Sequence, residues 1–514
     1  MTVDVLLFTG SSIPYFTRPI GAYRIATELR KHGYTVQVID MFPYIVNKDP
    51  KLLFLKQFID KYVGPNTLWV GFSSTFMYDV AAVNKEFAVN DVPTLNDLSN
   101  TLSVDTRYLH NIKYYITTRS PKCKLVLGGS KSSAYNVKII DIYLEGYADS
   151  TVIEMTRWIE GKNPFMQTQH VGYGAVGILH DYKAQNFDFV NSSTKWHESD
   201  HIFPEEALPI EISRGCIFNC SFCSYPLNGK KKTDYIRDPG VLREEFTRNY
   251  EQFGTTDYIF ADDTHNDSVE KLQFLYDQVY SKLPFRINFY TYLRLDLLHA
   301  HPESAVLLKE SGLRGAFFGI ESMNYESAKA VGKGITPKRI EDTLHRLKED
   351  IWKQDVTLSG GFIIGLPHDT EQTISEWLPR VIQRDFPLDS VNLYPLGLTK
   401  LNAETNRKLW TSDLERNPEK FGYSFPTAEK PGHWINDVTG MNFALAREMS
   451  EMALGIARLN GKKQNGSFNI PGLLNLGYLR EEIVEDNVHN SITKFYHQRR
   501  LRLNEKYFNA VLNA

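Results

Sequence analysis

Short apolar runs and amphipathic stretches alternate along the first 160 residues. Residues 3–8, VDVLLF, are an apolar run broken only by Asp4, the pattern of a strand buried on both faces. A glycine-containing loop follows. GAYRIATELRKHG then sets Ala22, Ile25, Ala26 and Leu29 on one helical stripe before Gly33 stops it. TVQVID (35–40), LWVGFSS (68–74), CKLVLGGS (123–130) and IIDIYLEG (139–146) predict four more strands, and STVIEMTRWIEGK predicts a closing helix. Strands alternating with helices imply an α/β unit over residues 1–165 with a parallel, doubly wound sheet, whose ligands bind at the carboxyl ends of the strands. Those ends carry TGSS, SST, GGSK and EGYAD. Residues 78–120 exceed a usual crossover and predict an insertion.

Residues 166–205 have weak periodicity and predict a linker. A second alternating series opens at LPIEISRG (208–215). It continues through YIFADD (258–263), RINFYTYLR (286–294), GAFFGIES (315–322), LSGGFIIGLP (358–367) and SVNLYPL (390–396), with helical segments between. Six βα units that never return to the first sheet predict a partial (β/α)6 barrel of the TIM type over 206–400. Beyond residue 400 the strand signal ends. MNFALAREMSEMALGIARL (441–459) is an amphipathic helix, and 401–514 predict a helical C-terminal domain. KFGYSFPTAEKPGHW (420–434) has aromatics and loop residues suited to a pocket wall or to packing.

At 514 residues the chain is too long for one core, and 42% hydrophobic with 23% charged residues is the mix of a soluble globular protein. A net charge of -3 argues against a general grip on nucleic acid. NGKKK (228–232) and QRRLRLNEK (498–506) read as solvated faces. No apolar run reaches membrane-spanning length. The start, MTVDVLLFTGSS, lacks the basic and long apolar regions of a signal peptide. Four cysteines in so long a chain form no disulfide framework, and a reducing, cytoplasmic setting without a membrane partner fits. Without a P-loop, a strand-following G-x-G-x-x-G or a G-x-S-x-G elbow, kinase and hydrolase readings have nothing to rest on.

Three of the cysteines, Cys216, Cys220 and Cys223, stand as C-x3-C-x2-C within SRGCIFNCSFCSYP (213–226). A structural zinc site needs four closed ligands, and His201 and His265 do not fall at finger-like spacing. Three buried structural cysteines do not suit a loop rich in Gly, Asn and Ser. Thiolates are the standard ligands of iron–sulfur clusters. A cubane held by three leaves one iron open for chemistry. Cys123, in a strand of the first unit, reads as a small buried hydrophobe.

C-x3-C-x-aromatic-C directly after the first strand of a βα series resembles the signature of radical S-adenosylmethionine (SAM) enzymes, over about residues 206–400. The resemblance implies a [4Fe–4S] cluster on Cys216, Cys220 and Cys223, with Phe222 at the aromatic position. The open iron would chelate SAM, and one electron would cleave it to a 5′-deoxyadenosyl radical that abstracts hydrogen. It implies an electron donor such as flavodoxin or ferredoxin. FADD (260–263) stands where relatives carry a motif for the methionine amino group, so Asp262 and Asp263 are candidates. Arg294 is a candidate partner for the methionine carboxylate, and Glu321 and Ser322 for ribose hydroxyls. Gly361, Ile363 and Gly365 match a strand whose backbone packs on adenine. A buried ion pair is the structural alternative for Arg294 and Glu321.

The first unit resembles the Rossmann-like, cobalamin-binding-type domain that precedes the barrel in one subclass of this family. The family's Asp-x-His-x-x-Gly motif is absent, so any cobalamin would lack a protein histidine ligand. Gly128 and Gly129 would line its nucleotide tail, the small residues Gly10, Ser11, Ser73 and Ser74 would let it approach, and Lys131 would sit at a polar edge. A domain that kept the fold and lost the cofactor fits the same residues. With cobalamin the resemblance implies a transferase that methylates an unactivated carbon. Without it, the resemblance implies a radical rearrangement or oxidation. A non-catalytic iron–sulfur or zinc scaffold has no use for the polar residues at successive strand ends.

Overall fold

The structure, a computed structural model, describes residues 2–9, 17–47, 51–73, 78–79, 103–104, 109–129, 139–172, 174–179, 187–225, 235–398, 411–426, 433–462, 466–480 and 502–514. Gly10, Ser11, Ser74, Lys131, NGKKK, residues 498–501 of the second basic run, most of the expected insertion and part of the 420–434 loop lie outside them. The described chain divides into two compact units, Met1–Pro209 with Asn475–Gly477 and Asn490–Ala514, and Ile210–Leu474 with Tyr478–His489.

In the first unit β1 (Val5–Phe8), β2 (Val36–Ile39), β3 (Trp69–Ser73), β4 (Lys124–Gly129) and β5 (Ile142–Glu145) lie parallel in the order β2-β1-β3-β4-β5. The five predicted strands are therefore present. β1, β2 and β5 are buried at every residue, as apolar runs require. Helix α1 (Ile20–Lys31) buries Ala26 and Leu29 but leaves Ala22 and Ile25 partly exposed. Its buried face is turned toward Tyr23 and Arg24, because Tyr23 donates to Asp40 and Arg24 pairs with Asp149 at 3.3 Å. Helix α2 (Thr151–Ile159) is the predicted closing helix.

Two expected boundaries shift here. Within the supposed linker, β6 (Gln169–Gly172) and β7 (Ala175–Leu179) form an antiparallel pair, and β7 adds parallel to β5, making a seven-stranded sheet. The helical C-terminal region is present, but its residues divide between the two units. Residues 502–513 are helical, and Tyr507, Phe508 and Val511 join the first unit's core. A buried polar knot ties these parts to the sheet. Arg18 bonds Glu206 through Nε at 2.6 Å and Asp40 at 3.2 Å, and the Asp40 amide donates to the Tyr507 hydroxyl at 3.0 Å. Asp40, at the end of β2, thus serves the fold.

The second sheet holds β8 (Leu208–Ile210), β9 (Asp257–Phe260), β10 (Asn288–Leu293), β11 (Leu313–Glu321), β12 (Thr357–Ile364) and β13 (Ser390–Pro395), hydrogen-bonded in chain order as one open sheet. The pairs from β9 to β13 are parallel. This is the expected partial barrel. Phe289, Phe318 and Phe362 face the helical layer, stacking on Phe260 at 4.4 Å, Trp352 at 6.2 Å and Trp377 at 5.6 Å. Strand alternation then turns Tyr290, Tyr292 and Arg294, and likewise Phe317 and Gly361, to the concave face. Helices α3 (Pro239–Phe253), α4 (Val269–Gln278), α5 (Tyr325–Ala330), α6 (Glu371–Val381) and α7 (Phe443–Leu459) start at side-chain caps from Asp238, Ser268, Asn324, Thr370 and Asn442. Two short strands, Tyr423–Ser424 and Ile435–Asn436, pair beyond residue 400. Among the described residues no helix is long and apolar enough to cross a membrane.

Candidate cluster and cofactor site

The cysteine loop leaves β8 through a narrow stem. Ser213 bridges Ile236, and the Arg237 amide donates to the Ile212 carbonyl at 3.0 Å. Asp262, just past β9, anchors this stem. Its Oδ1 accepts from the Ile212 and Ser213 amides at 2.9 and 3.0 Å, and its Oδ2 from Ser213 Oγ at 2.8 Å. Burial works to raise this carboxyl. His265 Nδ1 at 3.3 Å, Lys271 Nζ at 3.9 Å and the Ser213 amide outweigh burial and hold it below the ordinary range. Asp262 is therefore committed to the backbone.

Asp263 has the opposite environment. Burial first, then the neighbouring Asp262 charge, push its carboxyl up to about 7. Its Oδ2 is buried without a hydrogen-bond partner. An orphaned carboxylate oxygen beside a thiol-bearing loop fits an incoming ammonium group. Strand-end alternation separates these two sequence-adjacent candidates.

Cys216 is buried, and its thiol reaches Thr264 Oγ1 at 3.5 Å, while Cys220 and Cys223 are partly exposed. No cysteine is in a disulfide. The loop is pinned at Ser221, whose amide and hydroxyl donate at 3.3 Å to the carbonyls of Val331 and Ala330 at the end of α5. Gly332 (φ +86°) packs close behind, since a Cβ there would stand 3.4 Å from Cys220 Cα. Phe222 is partly exposed.

Arg294 is 5% exposed. Its Nη1 donates to Cys220 Sγ at 3.4 Å, its Nε and Nη2 take Asp296 at 3.0 and 2.6 Å, and Nη2 also meets the Gly332 carbonyl at 3.2 Å. The guanidinium lies 3.8 Å from the Phe218 ring centroid. The residue expected to meet a methionine carboxylate has its fork on Asp296 and its charge on a cysteine sulfur. It clamps the loop.

Glu321 sits at a strained left-handed position (φ 69°), with Lys333 Nζ 3.5 Å from Oε1. Burial raises its carboxyl and Lys333 draws it back. Ser322 Oγ accepts from the Asn324 amide at 3.0 Å, so its proton remains for a donor role. Gly361 leaves room for Phe317, whose ring a Cβ would meet at 3.0 Å, and Ile363 is partly exposed. Gly365 (φ +93°) is absorbed by the fold. Its amide donates to Asp369 at 3.0 Å, its carbonyl accepts from Tyr423 at 2.7 Å, and Trp434 would clash with a Cβ. In the first unit Gly129 (φ +136°) needs glycine, whereas a Cβ on Gly128 would meet nothing nearer than 3.8 Å.

Residues 210–378 match the family model of the radical SAM superfamily. This unit is a radical SAM domain. The radical SAM domain takes a [4Fe–4S] cluster and SAM. Among the described residues no three His, Cys, Asp or Glu side chains stand close enough to share one metal ion. A cubane places each thiolate on a different iron, so the loop's donor set suits it. The whole chain shares the fold of the SAM methyltransferase TsrM of Kitasatospora setae, solved with cobalamin and a [4Fe-4S] cluster. The TM-score is 0.61 at 16% identity, over 99% of this chain and 100% of that one. An uncharacterized methyltransferase of Pyrococcus horikoshii is 30% identical over 32% of this chain and 34% of its own length. The bacteriochlorophyllide d C-12(1)-methyltransferase of Chlorobaculum tepidum is 25% identical over 52% of this chain and 57% of its own. The chain thus spans between a third and just over half of these curated relatives.

Sequence reasoning missed the Arg294–Asp296 fork, Phe218, Lys333 and Gly332. The short spacing of Arg294 and Asp296 in YLRLD was the available signal. Arg294→Gln is expected to lower the cluster's midpoint potential by about 60 mV, since a hydrogen bond to charged sulfur is worth about one tenfold step. Potentiometric EPR on the variant measures this. An unchanged potential with full iron content would return Arg294 to a packing role.

Proposed function

We propose that the chain is a cobalamin-dependent radical SAM methyltransferase acting on an unactivated carbon. The observation that carries this reading is the joining, in one chain, of a doubly wound unit with glycine-ended β4 to a radical SAM domain whose Asp263 has an unpartnered oxygen. The fold shared with TsrM and the methyltransferases among the relatives support it. Bound, the three groups supply one-electron cleavage of a carbon–sulfur bond and a methyl carrier. Cys216, Cys220 and Cys223 hold the cluster. Asp263 receives the SAM ammonium, Glu321 and Ser322 meet ribose hydroxyls, and Gly361 and Ile363 flank adenine. Arg294 positions the loop. Gly128 and Gly129 border the cobalamin. A low-potential donor such as flavodoxin or ferredoxin, and the cytoplasm's reducing conditions, suit an oxygen-labile cluster.

Titration calorimetry with hydroxocobalamin on the anaerobic full chain tests the reading. Binding is expected to leave cobalt without a protein histidine, visible by EPR of the reduced cobalamin. Gly128→Phe should weaken it by more than about tenfold, a loss of 1.4 kcal/mol. The free space around Gly128 lets a small side chain fit the fold, so Gly128→Ala controls for misfolding. No binding at high micromolar concentration, with deoxyadenosine formation intact, would remove the methyl-transfer assignment and leave the radical chemistry alone.

A further inference from the structure

On the concave face of the radical SAM domain, several large aromatic side chains are left open. Tyr290 is fully buried, its hydroxyl held by Asp257 at 3.2 Å and Arg480 at 2.9 Å. Two residues further along β10, on the same face, Tyr292 is 45% exposed. Tyr394 on β13 is 49% exposed and Tyr225, two residues after Cys223, is 52% exposed. Tyr292 neighbours both Tyr225 and Tyr394. Burial, with Tyr394 beside it, pushes the Tyr292 hydroxyl up to about 12. The wall is backed by more rings. Tyr292 packs edge-on to Phe317 at 5.2 Å and tilts over Phe468 at 4.8 Å.

We propose that Tyr225, Tyr292 and Tyr394 form the binding site for the substrate, and that this substrate is a flat, uncharged aromatic or heteroaromatic molecule. The inference rests on the radical SAM reading of the domain and names its substrate class. Aromatic walls recognise flat π-surfaces by stacking and edge contacts, and un-ionised phenols add hydrogen bonds at the ring edge. Between the sealed floor and the rim, the in-facing positions of β10–β13 carry no charge, and Gly361 supplies no side chain. At the rim Arg294 is paired with Asp296 and Glu321 with Lys333, so a charged substrate would find no unspent counter-charge among these groups. The site is also placed for chemistry. Tyr292 lies two residues, about 7 Å along the strand, from Arg294, whose guanidinium touches Cys220.

The test is calorimetry on the anaerobically reconstituted full chain with three probes of one skeleton, 2-naphthol, its fully saturated decahydro analogue and 2-naphthalenesulfonate. The flat neutral probe should bind at least about tenfold tighter than either of the others. Tyr292→Ala and Tyr394→Ala should each weaken 2-naphthol by about tenfold, and Tyr292→Phe and Tyr394→Phe should stay within about threefold of the parent. Equal binding of flat and saturated rings, preference for the sulfonate, undetectable 2-naphthol binding at full iron content, or alanine variants that bind like the parent would overturn the proposal. The comparison of probes on the unaltered chain holds even if a variant misfolds. Deoxyadenosine formation without any naphthol is measured alongside. Its failure with 2-naphthol binding retained would strike the enzymatic reading and leave the aromatic site standing.

Discussion

Alanine at Cys216, Cys220 or Cys223 is expected to take the anaerobically reconstituted chain from about four irons to none and to abolish deoxyadenosine formation. Each thiol is held by a different part of the loop. Cys216 lies buried against Thr264, Cys220 lies under Arg294 and against Gly332, and the Cys223 amide donates to the Cys220 carbonyl at 3.0 Å. No other cysteine lies in this unit to substitute. Cys123 provides the contrast. It is 4% exposed in the first unit's core, and burial pushes its thiol up to about 12, which disfavours the thiolate that a cluster ligand needs. Cys123→Ala should leave iron and activity intact and cost about 1 kcal/mol of stability. Iron and labile-sulfide assays, with the visible spectrum, decide the matter. Stoichiometric zinc in a colourless protein would overturn the assignment.

The strands were legible because their chemistry is local. VLLF and VQVI are apolar at nearly every position, and burial on both faces demands it. Residues 169–179 were not legible for the same reason. In this edge hairpin Gly172, Gly174 and Gly177 interrupt the alternation, and the outer strand β6 carries Gln169 and His170. The return of residues 502–513 to the first unit rests on Tyr507 meeting Asp40, a pairing 467 residues apart that no local pattern encodes. The cysteine motif was fully legible, since spacing carries it. Roles around it were less so. Gly365 directly follows the strand of Gly361, yet its freedom is used on Trp434 and Tyr423. Arg294 was visible as a strand-end cation, but its fork partner Asp296 lies only two residues on, and proximity rather than periodicity decides that pair.

Asp262 and Asp263 are expected to give opposite results although they are neighbours in sequence. Asp262→Ala would leave the Ile212 and Ser213 amides and the Ser213 hydroxyl without their acceptor, and strip a buried carboxylate from Lys271 and His265. Removing one partner from such a buried set costs about 3–5 kcal/mol. Because the stem carries the cysteines, cluster assembly should fail with it. The sign with pH follows from the depressed carboxyl. Its stabilisation is present above the ordinary carboxylate range, which begins near 3.8 for aspartate, and is lost as pH falls through the lower folded value. The gap between parent and Asp262→Ala should therefore be constant above about pH 5 and shrink in acid. Asp263 runs the other way. Its raised carboxyl favours the fold below the ordinary value and loses that contribution as pH rises through about 7. Asp263→Asn should thus gain in thermal midpoint against the parent between pH 6 and pH 8, keep its iron, and bind SAM about tenfold or more weaker, the loss of a hydrogen bond between charged groups. Melting curves at the two pH values, with SAM calorimetry, separate these roles. If Asp262→Ala keeps both cluster and stability while Asp263→Asn loses them, the two residues have been assigned the wrong way round.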